Sequence, residues 1–289
     1  MLRFCLFIFC FASSVSAQET GPGPFASFDL ASEPIFGDPH DLAIGPDGRL
    51  YVADKLNARI AVLDPETLEL LESLGDGFLP GVRDVSFGPN GAVALAVSGA
   101  SAVAIYESLE VLGDPPDIGI SAPNTEGALY HSSGRIYAMA SGIGVLARFE
   151  ELEFVDAVEG HIGAHDIAEA PDGSIWVADN RLRRLVRYSQ DLKQLQILDA
   201  AKFGFAGPRY LDVTDAGYLA IADQDAHRIL LIDPKGPEGG TLLGVLGDGV
   251  PGIGPNKFDD PEGVAVDGNR YFISDSDNNR IVRYSVVLN

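Results

Sequence analysis

Six ionisable side chains recur at one place in a repeating pattern: His40, Arg83, Glu126, His165, Arg209 and Glu262. Each stands just ahead of a short apolar stretch that runs into a turn such as Pro46-Asp47-Gly48. Arg83 and Arg209 would draw an anion, whereas Glu126 and Glu262 would oppose one. The mixed set therefore suits a small polar ligand, or a metal ion with carboxylate help. The following position adds Asp41, Asp84, Asp166 and Tyr210. An aspartate beside a histidine can orient the imidazole. The alternative is a polar lining whose alternating charges satisfy one another.

Equal places in a repeat become one layer only if the repeats are arranged around an axis. The stretch PHDLAIGPDGRLYVADKLNARIAVLD, from Pro39, recurs from Ala164, Pro208 and Pro261, with weaker copies from Val82 and Thr125. Six units of about forty residues have the period of a propeller blade. Alternating apolar residues between turn residues predict strands at Leu50 to Ala53 and Arg59 to Leu63, with an outer strand at Leu68 to Leu74. The last unit has only three strands, so residues Phe25 to Leu30 are expected to supply its fourth and close the circle. The six ionisable residues would then lie at one mouth of the central channel, with His facing His, Arg facing Arg and Glu facing Glu.

In four units an aspartate precedes an arginine by five residues: Asp54 and Arg59, Asp179 and Arg184, Asp223 and Arg228, Asp275 and Arg280. Across a hairpin this spacing lets a carboxylate meet a guanidinium or cap turn amides, a structural role that repeats naturally. The second and third units lack the pair, which predicts less regular blades there. Trp176 and Tyr51 hold equivalent places and are expected between blades.

The units resemble NHL repeats over nearly all of the chain after its leader. The strongest stretch is Gly247 to Tyr284, with a Gly-rich lead-in, Pro261-Glu262-Gly263-Val264-Ala265 and the hairpin from Ser274 to Ile281. This resemblance implies an all-β, six-bladed β-propeller of NHL-type repeats. The run Pro39-His40-Asp41-Leu42-Ala43, echoed at Ala164 to Ala168, is also similar to the zinc-ligand strand of the peptidyl-hydroxyglycine α-amidating lyases. That resemblance would make His40 and His165 ligands of a divalent metal such as zinc. The lyases use three histidines. Here Glu126 or Glu262 would have to complete the set, and Arg83, Arg209 and Tyr210 would have to act as the polar partners.

Composition narrows the field further. The chain carries 42 acidic and 20 basic residues, a formal charge of −22. Nucleic acid and anionic membrane surfaces are therefore poor partners. Residues 1–17 combine Arg3, an apolar run and Val15-Ser16-Ala17, and read as a secretory signal too short to span a bilayer. Residues 18–289 would then form a single propeller without membrane insertion, secreted or periplasmic. Cys5 and Cys10 fall within the leader, so the remainder has neither disulfide nor thiol. His131, His161 and His227 are expected at the surface. No phosphate-cradling loop before a helix and no nucleophile-elbow motif occurs. Two functions stay open: an exported platform that binds a small polar ligand or an envelope protein through the channel mouth, and a metal-dependent lyase or hydrolase.

Overall fold

The computed structural model describes residues 25–116 and 118–288; the leader-like segment 1–17 lies outside them. Six four-stranded antiparallel sheets succeed one another along the chain. They begin with the inner strands Pro39–Ile44, Val82–Phe87, Thr125–Tyr130, Asp166–Glu169, Pro208–Val213 and Pro261–Asp267. We number the blades 1 to 6 in that order. Phe25–Ala31 pairs with Arg280–Val287 as the outer strand of blade 6. Its backbone donors and acceptors give the last edge the partners it would otherwise lack. Among the described residues no helix is long and apolar enough to cross a membrane.

The second and third strands of each blade are the most apolar, and blades pack through them. Tyr51 is wholly buried between blades 1 and 2, and Trp176 between blades 4 and 5. Burying such a side chain contributes about 3 kcal/mol. The aspartate and arginine pairs staple the hairpins. Asp54 accepts from Arg59 Nε at 2.7 Å and from the Gly37 amide at 2.7 Å. Asp223 accepts from Arg228 Nε at 2.9 Å and from the amides of Ala206 and Gly207.

Three local expectations change. The outer strand of blade 1 starts at Leu70 rather than Leu68, because Leu68 sits in the turn with φ 58°. Blades 2 and 3 keep all four strands; only their hairpins depart from the pattern. His131 and His161 are buried rather than superficial. His161 Nε2 meets the Tyr188 hydroxyl at 2.8 Å, and Nδ1 lies 3.3 Å from the Asp179 carboxylate. His131 packs on Tyr137, and its Nε2 donates to the Gly173 carbonyl.

Candidate functional site

The six ionisable residues stand at the entry of the inner strands, where the chain turns in from the preceding blade. In five blades the register slips there: between Pro39 and Leu42, Val82 and Asp84, Thr125 and Gly127, Pro208 and Leu211, and Pro261 and Val264. Such a bulge adds a residue to one strand and re-aims a side chain. Glycine follows the bulge residue where blades approach most closely. A Cβ on Gly127 would lie 2.3 Å from the His165 carbonyl oxygen, and one on Gly263 would lie 2.3 Å from that of His40.

The side chains join neighbour to neighbour around the channel. Arg83 Nη1 donates to His40 Nε2 at 2.9 Å and pairs with Glu126 Oε2 at 2.8 Å. Glu126 lies 3.8 Å from His165 Nε2, and Arg209 Nε lies 3.3 Å from Glu262 Oε2. Glu262 Oε2 closes on His40 Nδ1. No such contact joins His165 to Arg209. Since Arg83 donates to Nε2, the proton of His40 belongs on Nδ1, facing the Glu262 carboxylate. Burial, and then the charge of Arg209, hold His40 and His165 well below the ordinary histidine range. Burial pushes Glu262 up to about 7 against the pull of Arg209, and raises Glu126 against that of Arg83. With neutral imidazoles and ionised carboxylates the two arginines and two glutamates cancel.

A second set of polar residues, at the position after each second strand, supports the first. Ser98 Oγ accepts from Arg83 Nε at 3.0 Å. Gln224 accepts from Arg209 at 2.9 Å and donates to Glu262 and Asp260. Lys55 binds Asp38 at 2.6 Å, beside His40. Sequence reading missed these, although the repeat alignment that found the bulge residues applies equally one hairpin later.

Tyr210 is wholly buried beneath this layer. Its phenol lies 6.1 Å from the imidazole of His40 and 6.4 Å from that of His165, between centroids, and its hydroxyl donates to the Glu126 carbonyl at 3.2 Å. It thus reaches from blade 5 across the bore to blades 1, 3 and 4. Tyr210 is a floor to the mouth rather than a group facing it. On its far side Asp41, Asp84 and Asp166 line a cavity of about 270 Å³. Asp84 accepts the Ala128 amide and Asp166 the Leu211 amide, so these carboxyls tie each blade to the next.

The open part of the mouth lies to one side. A depression of about 410 Å³ spans blades 2 to 4, with Arg83 and Glu126 at its base and Ser98, Asn124, Ser141 and Ile162 among its walls. It exists where the hairpins of blades 2 and 3 carry Ser98-Gly99-Ala100 and Ser141-Gly142-Ile143 in place of the bulkier polar tips of the other blades.

The two histidines do not come together as ligands of one metal ion. The described group whose donor atoms lie close enough for one ion is Asp38, His40 and Glu262, without His165. Lys55 already holds Asp38, Arg83 holds His40, and Arg209 and Gln224 hold Glu262. Lys55, Arg83 and Gln224 engage the outer atoms, Asp38 Oδ2, His40 Nε2 and Glu262 Oε1; on the facing side the Arg209 guanidinium stands 3.3 Å from Glu262 Oε2, where it would compete with a metal ion.

Residues 36–63 and 258–284 match the NHL repeat. No curated protein matches the sequence. Solved structures share the fold at low identity. Virginiamycin B lyase from Staphylococcus aureus aligns with a TM-score of 0.62 at 12% identity, over 91% of this chain and 100% of that one. The PQQ-bound aldose sugar dehydrogenase from Streptomyces coelicolor gives 0.66 at 14%, over 91% and 98%. An auxiliary nutrient binding protein from Bacteroides thetaiotaomicron gives 0.68 at 16%, over 91% and 76%. With two repeats matched in sequence and six blades of one pattern in space, the chain is a six-bladed β-propeller carrying NHL repeats.

Proposed function

We propose that this protein is an exported binding propeller whose channel mouth takes a small polar ligand. The observation that carries the reading is the depression over Arg83 and Glu126, walled by Ser98, Asn124 and Ser141. Its base offers a donor and an acceptor of opposite charge, so it favours a ligand group that can both accept and donate hydrogen bonds. The leader-like residues 1–17 support export. The neighbours include an enzyme, a cofactor-bound dehydrogenase and a nutrient binding protein, so fold alone does not choose among activities.

The test is a thermal-shift screen with sugars, amides, amino acids and hydroxy acids, followed by calorimetry on the best ligand. Glu126→Gln and Asn124→Ala should each weaken binding about tenfold, the scale of one charge-assisted or well-placed hydrogen bond. A ligand bound equally by both variants would sit elsewhere and sink the reading. The metal-dependent lyase remains a second reading because Asp38, His40 and Glu262 gather three donors. It requires the Arg209 guanidinium to give way at Glu262. Stoichiometric zinc in protein purified without chelator, lost in His40→Ala, would establish it over the first.

A further inference from the structure

Two arginines of the blade 4 hairpin have no acidic partner. Arg181 and Arg183 are both exposed at the hairpin tip of blade 4. Among the described residues neither side chain makes an ion pair or a hydrogen bond. The next arginine, Arg184, is held by Asp179 at 2.9 Å, as the repeat requires. In a chain of charge −22, two adjacent uncompensated guanidinium groups stand out. Arg181 also stands next to the site. The stem of Arg181 lies over Gly163, a wall residue of the depression, where an added Cβ would come 3.2 Å from Arg181 Cβ.

Exposed apolar side chains surround the same spot. Ile143, Ile162 and Leu182 are 57%, 51% and 53% exposed. Ile162 packs over Gly144, next to Ile143, and itself lines the depression. Leu182 lies between the two free arginines. The loops at the opposite face of the propeller expose just one large apolar side chain among the described residues, Leu152. Polar pocket, cationic rim and apolar apron therefore meet on one side of one face.

Resting on the ligand-binding reading above, we propose that the depression between blades 2 and 4 binds a single-chain amphiphile: a carboxylate with a neighbouring hydroxyl and an apolar tail. The planar fork of a guanidinium matches a carboxylate, and Arg181 and Arg183 supply two. The hydroxyl can donate to Glu126 and accept from Asn124 or Arg83 at the base. The tail lies on Ile143, Ile162 and Leu182, which gain by leaving water. An anionic bilayer shares this chemistry but not the geometry: the cationic rim is one hairpin wide, and the rest of the molecule repels a negative surface.

The probe is 3-hydroxydecanoate, titrated below its micelle concentration into the full chain by calorimetry at low and high salt. Three comparison molecules each lack one feature: its methyl ester the charge, decanoate the hydroxyl, and 3-hydroxybutyrate the tail. We expect saturable binding of the probe, at least tenfold weaker binding of each comparison molecule, and weakening by salt. The double variant Arg181→Gln/Arg183→Gln should bind the acid no better than its ester. Ile162→Ser should remove most of the gain from tail length, which for a well-covered chain is up to about fourfold per methylene. All three positions are exposed loops, and unchanged melting temperatures would verify that the variants fold. Binding of the ester equal to that of the acid, indifference to the double arginine change, or binding of anionic phospholipid vesicles but not of the monomer would each overturn the proposal. Failure of the probe while a screened polar ligand still binds through Glu126 would overturn this inference and leave the ligand-binding reading intact. If no ligand of any kind binds, both fall.

Discussion

Replacing Asp84 by asparagine should flatten the stability of this protein against pH. Asp84 is 2% exposed, faces Asp41 in the inner cavity and accepts the Ala128 amide at 2.7 Å. Burial drives its pKa from 3.8 up to about 7, although the Ala128 amide and Asp41 pull it down. Asp41 is held well above the ordinary carboxylate range by burial and by the charges of Asp84 and Asp166, so it keeps a proton to donate to Asp84. The folded state holds the Asp84 proton up to about pH 7, whereas the unfolded chain releases it near pH 4. The stability that Asp84 contributes is therefore full below about pH 4 and is lost as pH rises through 7. At 1.36 kcal/mol per unit, the part lost between pH 5 and pH 8 is about 3 kcal/mol. An asparagine oxygen still accepts the Ala128 amide, and its NH2 can replace the shared proton toward Asp41. Asp84→Asn should thus gain about 3 kcal/mol on wild type between pH 5 and pH 8, roughly 6 °C in Tm for a chain of this size. His40, His165 and Glu262 titrate in both proteins and cancel in the difference. The assay is thermal unfolding by circular dichroism of both proteins at the two pH values. Parallel shifts, or a variant that loses ground at pH 8, would refute the assignment of a shared proton to this pair.

Glu262→Gln removes a carboxyl that burial pushes up to about 7 despite the pull of Arg209, so chemical denaturation should show the variant gaining about 2 kcal/mol on wild type between pH 5 and pH 8. Gly127→Ala pushes a methyl against the His165 carbonyl; it should lower Tm by several degrees, where Gly134→Ala, an exposed turn glycine with open space around it, should cost less. Deleting residues 25–31 exposes the edge of Arg280–Val287 and removes Phe28 from the ring of Tyr284. Gel filtration should then show self-association, and calorimetry a Tm at least 10 °C lower for a loss of about 5 kcal/mol.

The circular order of blades could be read from the sequence because it depends on spacing alone. Repeats at a blade-like period, a missing last strand and a spare first one leave few other ways to close a sheet. The layer of His40, Arg83, Glu126, His165, Arg209 and Glu262 followed from the same arithmetic. Its bonding did not. Sequence symmetry placed like residues opposite each other, yet a side chain reaches its neighbour sooner than it reaches across the bore, so the contacts run Arg83 to Glu126 and His40 to Glu262. The inward aim of these residues comes from bulges, which leave no periodicity to detect. His131 and His161 looked superficial because they flank turns, but Tyr137, on the strand that follows the turn, and Tyr188, on the third strand of blade 4, cover them. The depression was visible only as something missing: the absent Asp and Arg of blades 2 and 3. What a missing side chain uncovers depends on what stands around it.

Tyr210 gives the molecule a direction. A propeller bore open at both ends would let a bound molecule leave by either, whereas this one is barred a short way in by a phenol pinned to Glu126. Whatever occupies the mouth has one door, used for arrival and departure alike. Escape must then retrace entry, and a second molecule waiting in solution has no rear path by which to push the first one out. Residence time would be set by the door alone and would not shorten as competing ligand is added.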